Sequence, residues 1–319
     1  MSVQTPNSMT PPAPSAMHLY FHPLYTNGIH PDARFPRERY RLIADRLQRE
    51  SHQGLLEIKE SPAAQPAEVR LAHDEHYVQR FIKGLMTDKE RRRIGLRPWT
   101  DALIPRTMHI MGGALAATKK VLKEGGFAGN MAGGTHHAHR DWGSGYCVFN
   151  DLAICAKMAI EKPEVNRVAL LDLDVHQGDG SATILENDSE ILTVSLHCEA
   201  NFPFRKAKSD RDFPLPLGTT DALFLKTLQH ALEELEDFAP DLILYQGGVD
   251  SLQTDALGKM ELSRACLRVR NKMVFDFCMD KSTPCVVFMG GGYSKPIEHT
   301  IDAFYDLFAQ AAEAHQHSA

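Results

Sequence analysis

Residues 170–180 read Leu-Leu-Asp-Leu-Asp-Val-His-Gln-Gly-Asp-Gly, an apolar run that ends in three carboxylates, a histidine and two glycines. The apolar half predicts a buried strand. Ionised groups at the end of a buried strand are costly without a counter-charge, which is most simply a metal ion. Asp174 and His176 are two residues apart on an extended chain, so they project from one side and can reach the same ion. A helix N-cap with an unrelated histidine is the alternative interpretation of this segment alone.

The sequence on both sides of this segment alternates between apolar runs and stretches of helical length. Near-continuous Val, Ile and Leu content is typical of strands in a sheet that is covered on both faces, with crossover helices between the strands. We therefore expect an α/β fold, a single domain with a central, mainly parallel twisted sheet flanked by helices. The predicted strands are His18–His22, Val168–Leu173, Ile191–Leu196, Leu242–Tyr245 and Cys285–Met289, and the predicted helices cover about residues 107–123, 151–161, 221–237, 263–280 and 295–314.

Composition narrows the class of protein. A chain of 319 residues with 43% hydrophobic and 24% charged residues is typical of a soluble globular protein, and its net charge of −6 argues against nucleic-acid binding. No apolar run approaches the roughly 20 residues of a membrane helix. Residues 1–17 are rich in Pro, Ser and Thr and lack the basic start and apolar core of a signal peptide. We therefore expect a flexible lead-in over residues 1–17, one domain over 18–319 and a cytoplasmic location.

The expected metal ligands are oxygen and nitrogen atoms, because the six scattered cysteines include no Cys-x-x-Cys pair. Polar segments follow the predicted strands, and the carboxyl ends of parallel strands form the binding edge of such a sheet. Asp250, at the end of one such strand, is a candidate third ligand beside Asp174 and His176. Two carboxylates and one imidazole with an open position are typical of hydrolytic zinc, although iron or cobalt fits the same ligands. Taken alone, Asp250 is also compatible with a helix N-cap.

A second polar segment, residues 133–139, reads Gly-Gly-Thr-His-His-Ala-His. On an extended chain, the adjacent His136 and His137 would point in opposite directions, so both are not expected to bind one ion. General acid and base catalysis suits them better, and each then needs a carboxylate that fixes its tautomer. Asp172 and Asp179 are the candidate partners, whereas His139 is predicted to be a bystander.

Two aromatic residues lie beside flexible, glycine-rich backbone. Tyr293 comes after three glycines, and its hydroxyl could stabilise an oxyanion if the flexible backbone lets the ring lie over the site. Tyr146 follows Gly145 in the same way. Together with Phe202, Tyr146 is predicted to form the walls of a narrow apolar channel.

Taken in chain order, these motifs resemble those of the zinc-dependent histone deacetylases of the arginase/deacetylase superfamily. The resemblance covers about residues 18–310 and is most specific in the segment that begins at Asp172. The Phe202-Pro203 loop and the segment 255–258 look most similar to class IV members and their bacterial relatives. The matching motifs are His136-His137, Gly145-Tyr146-Cys147, Asp172-x-Asp174-x-His176-x-Gly178-Asp179-Gly180, Ser195-Leu196-His197, Gly248-x-Asp250 and Gly291-Gly292-Tyr293.

The resemblance implies a role for each catalytic candidate. His137 would act as the general base and then as the acid that protonates the departing lysine amine, with support from Asp179. His136, paired with Asp172, would orient the water and stabilise the oxyanion. Tyr293 would donate a hydrogen bond to the acyl carbonyl.

The resemblance also implies two metal sites and a substrate tunnel. The zinc ligands would be Asp174, His176 and Asp250. A potassium ion close to the zinc would be bound by the side chains of Asp172 and Ser195 and by the carbonyls of Asp174, His176 and Leu196. The tunnel for the acyl-lysine side chain would be lined by the Gly145 carbonyl, Tyr146, Phe202 and Leu257.

The implied substrate is an acyl-lysine side chain of a protein or peptide. Small acetylated amines are the alternative, since an acetylpolyamine amidohydrolase uses the same machinery, and longer fatty acyl groups are a further alternative. The mostly basic segment 205–211 would repel a polyamine if it lies at the tunnel mouth. The sequence leaves the physiological substrate and the oligomeric state undecided.

Two other functions are disfavoured. An arginase-like ureohydrolase needs bridging carboxylates for a second metal ion, but Gly178 and Leu252 stand at the positions where they would be. A non-catalytic binder of acyl-lysine would be expected to have lost a ligand, a base or the tyrosine, and this chain retains them all.

Overall fold

The computed structural model describes residues 15–50 and 54–318. Residues 1–14 of the predicted lead-in lie outside the described part of the chain. The first strand begins at Met17, which is one residue before the predicted start of the domain.

One eight-stranded sheet runs through the described residues. Its strand order is β2-β1-β3-β8-β7-β4-β5-β6, and every neighbouring pair is parallel, so the predicted central, mainly parallel sheet is confirmed. In chain order the strands are β1 (Met17–Phe21), β2 (Leu56–Glu60), β3 (Phe127–Asn130), β4 (Val168–Asp172), β5 (Ile191–Cys198), β6 (Arg211–Leu215), β7 (Leu242–Gln246) and β8 (Cys285–Phe288).

Eleven helices accompany the sheet in the described residues. The long helix α6 packs against α7 and against β1 and β3, while α11 packs against the same two strands and against α10. On β3, the Asn130 side chain donates to the Ile110 carbonyl of α6, whereas a Cβ at the adjacent Gly129 would face Phe308 of α11. Because adjacent strand residues point to opposite faces, the two helices cover opposite faces of the sheet. The helices are α1 (Leu24–Asn27), α2 (Glu38–Arg49), α3 (Pro66–Val69), α4 (Glu75–Ile82), α5 (Asp88–Ile94), α6 (Leu103–Glu124), α7 (Asp151–Ile160), α8 (Asp179–Leu185), α9 (Asp221–Phe238), α10 (Arg264–Asp280) and α11 (Glu298–His317).

Burial explains why the central strands were recognisable in the sequence. Every residue of β4, β5, β7 and β8 is buried, as the near-continuous apolar runs indicated. The five predicted helices correspond to α6, α7, α9, α10 and α11, with ends that differ by a few residues. All six cysteines are buried thiols, as expected of core residues.

Three strands and six helices of the structure were not predicted from the sequence. β2 and β6 are the edge strands of the sheet and carry mostly polar or half-buried residues, so they lack an apolar run. β3 has only four residues, one of them a glycine. Helix α2 had a signal that could have found it, because Tyr40, Ile43, Ala44 and Leu47 are buried at helical spacing.

The strand order brings the polar segments together. β3, β8, β7, β4 and β5 are consecutive neighbours. The first four are each followed by a polar segment identified in the sequence, and the segment Ser195–His197 lies in the carboxyl-terminal half of β5. Since all the strands run in the same direction, these segments lie along one edge of the sheet, where parallel α/β folds place their sites. The predicted convergence of the segments is therefore observed.

Candidate active site

The three candidate metal ligands lie together at this edge. His176 Nδ1 is 2.9 Å from Asp174 Oδ1 and 3.1 Å from Asp250 Oδ2. Their ligand atoms all lie within 4.8 Å of one another, and this is the one such cluster found among the described residues. Asp174 and Asp250 are buried, and the side chain of His176 is 12% exposed. His176 and Asp174 also line the cavity described below.

Backbone and amide donors hold the two carboxylates in place. The Gln246 side chain donates to Asp174 Oδ2 over 2.7 Å, and the Gly291 N–H donates to the same oxygen over 2.9 Å. The Val175 N–H donates to Asp250 Oδ1 over 3.0 Å. Gly291 is required here, since a Cβ at this position would collide with Asp250 Oδ2. The backbone of this glycine loop therefore lies against both carboxylates and binds Asp174 directly.

The charges of this cluster favour a bound cation. Burial and repulsion by Asp174 raise the pKa of Asp250 to about 7. Burial acts in the same direction on Asp174, but the nearby His136 and His176 outweigh it and hold its pKa well below the usual value. Two adjacent carboxylates in a buried site need positive charge. Together with one imidazole nitrogen they form the oxygen and nitrogen ligand set that zinc accepts in hydrolytic sites, so these residues fit a zinc ion.

Two histidine–carboxylate pairs flank the cluster. His136 Nδ1–H donates to Asp172 Oδ2 and His137 Nδ1–H donates to Asp179 Oδ1, each over 2.6 Å. The pairing of each histidine with a carboxylate is as the sequence predicted. The expectation that the two rings point in opposite directions is wrong, because their centroids are only 4.1 Å apart.

A turn explains the orientation of the two rings. Gly133 and Gly134 have φ values of 85° and 67°, and the His136 N–H donates back to the Gly134 carbonyl over 2.9 Å. The segment is therefore a tight turn instead of an extended strand, and adjacent side chains of a turn do not alternate between faces. Both histidines consequently reach the metal cluster, and His136 Nε2 lies 3.9 Å from Asp174 Oδ1.

The two histidines differ in protonation. Burial, reinforced by the charge of His136, lowers the pKa of His137 to about 4. Burial also opposes the charged form of His136, but Asp172 and Asp174 outweigh it and raise its pKa to about 9. At neutral pH His137 is therefore a neutral imidazole that can accept a proton, whereas His136 is a cation that can stabilise negative charge.

His139 is not the bystander that the sequence predicted. Its Nε2–H donates to Asp179 Oδ2 over 3.2 Å, so Asp179 accepts one hydrogen bond from His137 and a second from His139. The His139 ring is stacked on Trp142, with centroids 3.8 Å apart, and Thr183 Oγ1 lies 2.7 Å from its Nδ1. The contacts with Asp179 and Thr183 were not detectable in the sequence, because they join His139 to helix α8, about 40 residues away in the chain.

Tyr293 lies at the cavity wall beside the metal cluster. Its backbone N–H donates to Asp255 Oδ2 over 2.6 Å, and burial raises the pKa of its hydroxyl well above the ordinary value. The hydroxyl is therefore a neutral donor across the physiological range. Arg39 also supports this loop, since its guanidinium donates to the carbonyls of Gly290 and Gly292.

A cavity of about 520 Å³ leads to these groups. The predicted tunnel residues Gly145, Tyr146, Phe202 and Leu257 all line it. The Phe202 ring packs edge-on against His137 with centroids 4.9 Å apart, and Leu257 is 42% exposed and therefore lies at the mouth. The cavity also extends beyond the predicted tunnel, to residues of helices α2 and α6 that the sequence analysis did not identify.

Backbone geometry places the Tyr146 ring. Tyr146 has φ of 68°, in the left-handed region that costs a non-glycine residue about 1 kcal/mol or more. Its N–H donates to the Ile94 carbonyl over 2.7 Å, which holds the strained conformation. The preceding Gly145 allows the close approach, since a Cβ there would collide with the His137 ring.

The predicted potassium ligands are adjacent in the sheet. Asp172 on β4 is the direct register partner of Ser195 on β5, and Leu196 is the next residue of that strand. The Ser195 hydroxyl lies 3.0 Å from His197 Nδ1. The structure thus brings the two predicted side-chain ligands together.

Comparison with known proteins identifies the class. Residues 33–306 match the family model described as the histone deacetylase domain, which is most of the chain. The chain therefore belongs to the histone deacetylase family of amidohydrolases, and its fold and buried Asp-His-Asp cluster agree with that assignment.

Three relatives illustrate the family. An uncharacterized protein of Picosynechococcus is 38% identical over 92% of this chain and 97% of its own length. Histone deacetylase 2 of Arabidopsis thaliana is 34% identical over 65% of this chain and 54% of its own. A histone deacetylase-like amidohydrolase of Pseudomonas aeruginosa is 30% identical over 75% of this chain and 67% of its own.

Two solved structures share the fold. The HDA15 HD domain matches with a TM-score of 0.77 and 18% identity, over 92% of this chain and 90% of that domain. The acetylpolyamine aminohydrolase from Burkholderia pseudomallei matches with a TM-score of 0.75 and 22% identity, over 92% and 98%. In the described part of the chain, none of the helices has the length and apolar character that a membrane span requires.

Proposed function

We propose that this protein is a zinc-dependent deacylase that hydrolyses the amide of acyl-lysine side chains in proteins or peptides. The observation that carries the proposal is the cluster of Asp174, His176 and Asp250 beside two histidine–carboxylate pairs at the wall of one cavity. When bound by these three residues, zinc would supply Lewis acidity, which polarises the acyl carbonyl and lowers the pKa of water toward about 7.

His137 carries out both proton transfers, and two other side chains stabilise the charge that develops. His137 is neutral, and its Nδ1–H is fixed by Asp179, so its Nε2 accepts the proton of the attacking water. The same nitrogen then gives that proton to the departing lysine amine. The Tyr293 hydroxyl and the charged His136 stabilise negative charge that develops on the acyl oxygen.

A potassium site close to the zinc is part of the proposal. Its ligands would be the side chains of Asp172 and Ser195 and the carbonyls of Asp174, His176 and Leu196. The adjacency of Asp172 and Ser195 in register supports it, and so does the preference of such cations for oxygen ligands. Location in the cytoplasm and a flexible lead-in over residues 1–17 stay predictions from the sequence.

Charge at the cavity supports a peptide substrate over a polyamine. Arg93 and Lys259 line the cavity, and Lys259 Nζ and Lys206 Nζ both donate to backbone carbonyls of the loop around Phe202. Among the described lining residues, Asp174 is the one carboxylate, and it belongs to the metal cluster. A polycation would therefore meet positive charge with no acidic group to bind it.

The proposal is tested by metal-loaded protein assayed with an acetyl-lysine peptide and with acetylspermidine, each with and without a hydroxamate chelator. We expect higher kcat/KM for the peptide and loss of activity with the hydroxamate. Asp174→Ala is expected to lose both metal and activity, whereas Asp276→Ala, an exposed carboxylate on α10, keeps both. Activity that resists the chelator would refute the metal mechanism, and preference for acetylspermidine would establish the polyamine alternative.

A further inference from the structure

The inner part of the cavity contains two buried arginines. Arg39 and Tyr40 on α2 line the same cavity as the metal cluster, and so does Arg106 on α6. Arg39 is 3% exposed and Arg106 is 4% exposed. Buried guanidinium groups are usually paired with carboxylates, because an unpaired buried charge is costly. We refer to Arg39, Tyr40 and Arg106 as the inner pocket.

Neither arginine has a carboxylate partner in the described part of the chain. Arg39 donates to the carbonyls of Gly290 and Gly292 and to the Tyr40 hydroxyl, while its buried Nε has no partner. Arg106 donates to the Tyr25 carbonyl and to the same Tyr40 hydroxyl. Arg80, which is more exposed, differs from them, because it forms a bidentate ion pair with Glu90.

Arg270 shows what a purely structural buried arginine looks like in this protein. It is fully buried and has no carboxylate partner, but each of its three nitrogens donates to an oxygen of Gly247, Gly248 or Asn271. It also does not line the cavity. The inner pocket differs on both points, because it has unused donors and it faces open space.

Tyr40 adds a third donor. Its hydroxyl oxygen accepts from Arg39 over 3.2 Å and from Arg106 over 3.1 Å. No acceptor for its own proton is found among the described residues. Two cations that share one neutral oxygen repel each other, so an anion between them would gain hydrogen bonds and relieve the repulsion. A carboxylate has the charge and the planar geometry that guanidinium groups bind best.

The pocket is next to the reacting groups. Arg39 binds the carbonyls on either side of Gly291, whose N–H binds the metal ligand Asp174. The guanidinium carbon of Arg39 is 5.5 Å from the centroid of the Tyr293 ring. The tail of an acyl group held at the metal cluster can therefore extend toward the arginines within the same cavity.

We propose that the inner pocket binds a carboxylate at the far end of the acyl group, so that the preferred substrates are lysines acylated by short dicarboxylic acids, such as succinyl- or glutaryl-lysine. This inference rests on the proposed deacylase function. The reaction adds water across the amide C–N bond and releases the lysine amine and a dicarboxylate. Two cations at the end of the cavity disfavour long fatty acyl chains, which would have to desolvate them.

The test compares peptides of equal acyl length: succinyl with butyryl, and glutaryl with pentanoyl. For the wild-type enzyme we expect kcat/KM to be at least about tenfold higher for the carboxylated member of each pair. A factor of this size is typical of hydrogen bonds between charged groups. Arg106→Met is expected to remove most of this ratio, and Arg106→Lys is expected to retain part of it. The ratio is measured within one preparation, so a loss of folded protein cancels.

Binding gives a readout that does not depend on turnover. Calorimetry with the Tyr293→Phe variant is expected to give a lower Kd for the glutaryl than for the pentanoyl peptide, and adding Arg106→Met is expected to abolish the difference. Equal or inverted ratios in the wild-type enzyme would overturn the inner-pocket proposal, and so would a ratio that Arg106→Met leaves unchanged. Selective binding without hydrolysis of any peptide would overturn the deacylase proposal but not the pocket.

Discussion

Single side chains at this site act through the hydrogen bonds that fix their protons. Tyr293 has the clearest expected effect, because its hydroxyl has a raised pKa and stays a donor at neutral pH. Tyr293→Phe removes that donor without touching a metal ligand. We expect kcat to fall on the order of 100- to 1,000-fold, as is typical of the loss of one oxyanion donor, with metal content unchanged. Near-normal kcat in this variant would rule out the assigned role.

His139 is expected to act through Asp179. His139→Phe can keep the stacking on Trp142 but removes the hydrogen bond to Asp179 Oδ2. The carboxylate then bears more negative charge beside His137 and raises the pKa of that histidine from about 4. We expect kcat to fall about tenfold and the acidic limb of the kcat profile to move to higher pH, with KM little changed.

Two further variants separate a positioning role of His139 from general damage. His139→Gln can still donate to Asp179 and should recover part of the lost kcat. His230→Phe, an exposed histidine on α9, should leave the profile unchanged. An unshifted profile for His139→Phe would mean that Asp179 does not need its second donor.

The burial of His73 makes the stability of the folded state depend on pH. Its Nε2 accepts the Asn150 N–H over 2.8 Å and its Nδ1 lies 3.2 Å from the Arg140 carbonyl, so it is held neutral. Burial lowers its pKa to about 4. Below pH 6.5 this histidine binds a proton in the unfolded chain but not in the folded state. The contribution of His73 to the free energy of unfolding is therefore present above pH 6.5 and is lost as the pH falls toward 4.

At pH 5, the lowered pKa of His73 alone should therefore cost about 2 kcal/mol of unfolding free energy relative to pH 7.5. His73→Gln can keep the donor and the acceptor but does not titrate. Urea unfolding of metal-free protein at both pH values measures the effect. We expect the loss of stability between the two to be about 2 kcal/mol smaller in the variant than in the wild type, and equal losses would contradict the buried neutral state.

At this scale, the predictable residues are those that lie at the ends of recognisable strands. Asp174, His176 and the carboxylate partners of His136 and His137 were identifiable because strand ends in a parallel sheet converge. Arg39, Arg106 and His139 were not, since their importance comes from contacts between distant segments. The ring orientation of the two adjacent histidines was mispredicted because it depends on the turn formed by the preceding glycines. The identity of the histidines does not determine the φ values of that turn.

At the scale of elements, the loop after β8 connects the metal cluster to helix α2. Its glycines let the backbone approach Asp174 and Asp250, and its carbonyls bind Arg39. The buried central strands and their long helices were predictable from apolar runs, whereas α2 and the edge strands were missed. The sequence therefore located the site edge of the sheet but not the inner wall of the cavity.

Gly291→Ala tests how closely this loop must approach the ligands. A methyl group at Gly291 would collide with Asp250 Oδ2, so the loop or the carboxylate must shift. We expect weaker zinc retention on dialysis and at least about a tenfold loss of activity, as small displacements of catalytic geometry cause. Gly125→Ala is the control, because nothing lies within 4 Å of its added Cβ.

Gly125 has φ of 75° and ψ of −169°, a conformation that is essentially limited to glycine, so its alanine variant is expected to lose roughly 1–3 kcal/mol of stability yet to retain zinc and activity. Equal zinc retention in the two alanine variants would show that the approach of the loop at Gly291 is not needed for the metal site.

For the whole molecule, the proposed function requires a single metal ion at the active site. The described residues contain one cluster of metal-ligating side chains, and Gly178 and Leu252 stand where a second ion would need carboxylates. We expect close to one tightly bound zinc per chain by elemental analysis. Removal of zinc by a chelator should lower Tm, because a ligand that binds only the folded state stabilises it. Readdition of zinc should restore Tm and activity together. Two zinc ions per chain, both required for activity, would contradict the single-metal site and make a two-metal hydrolase the better assignment.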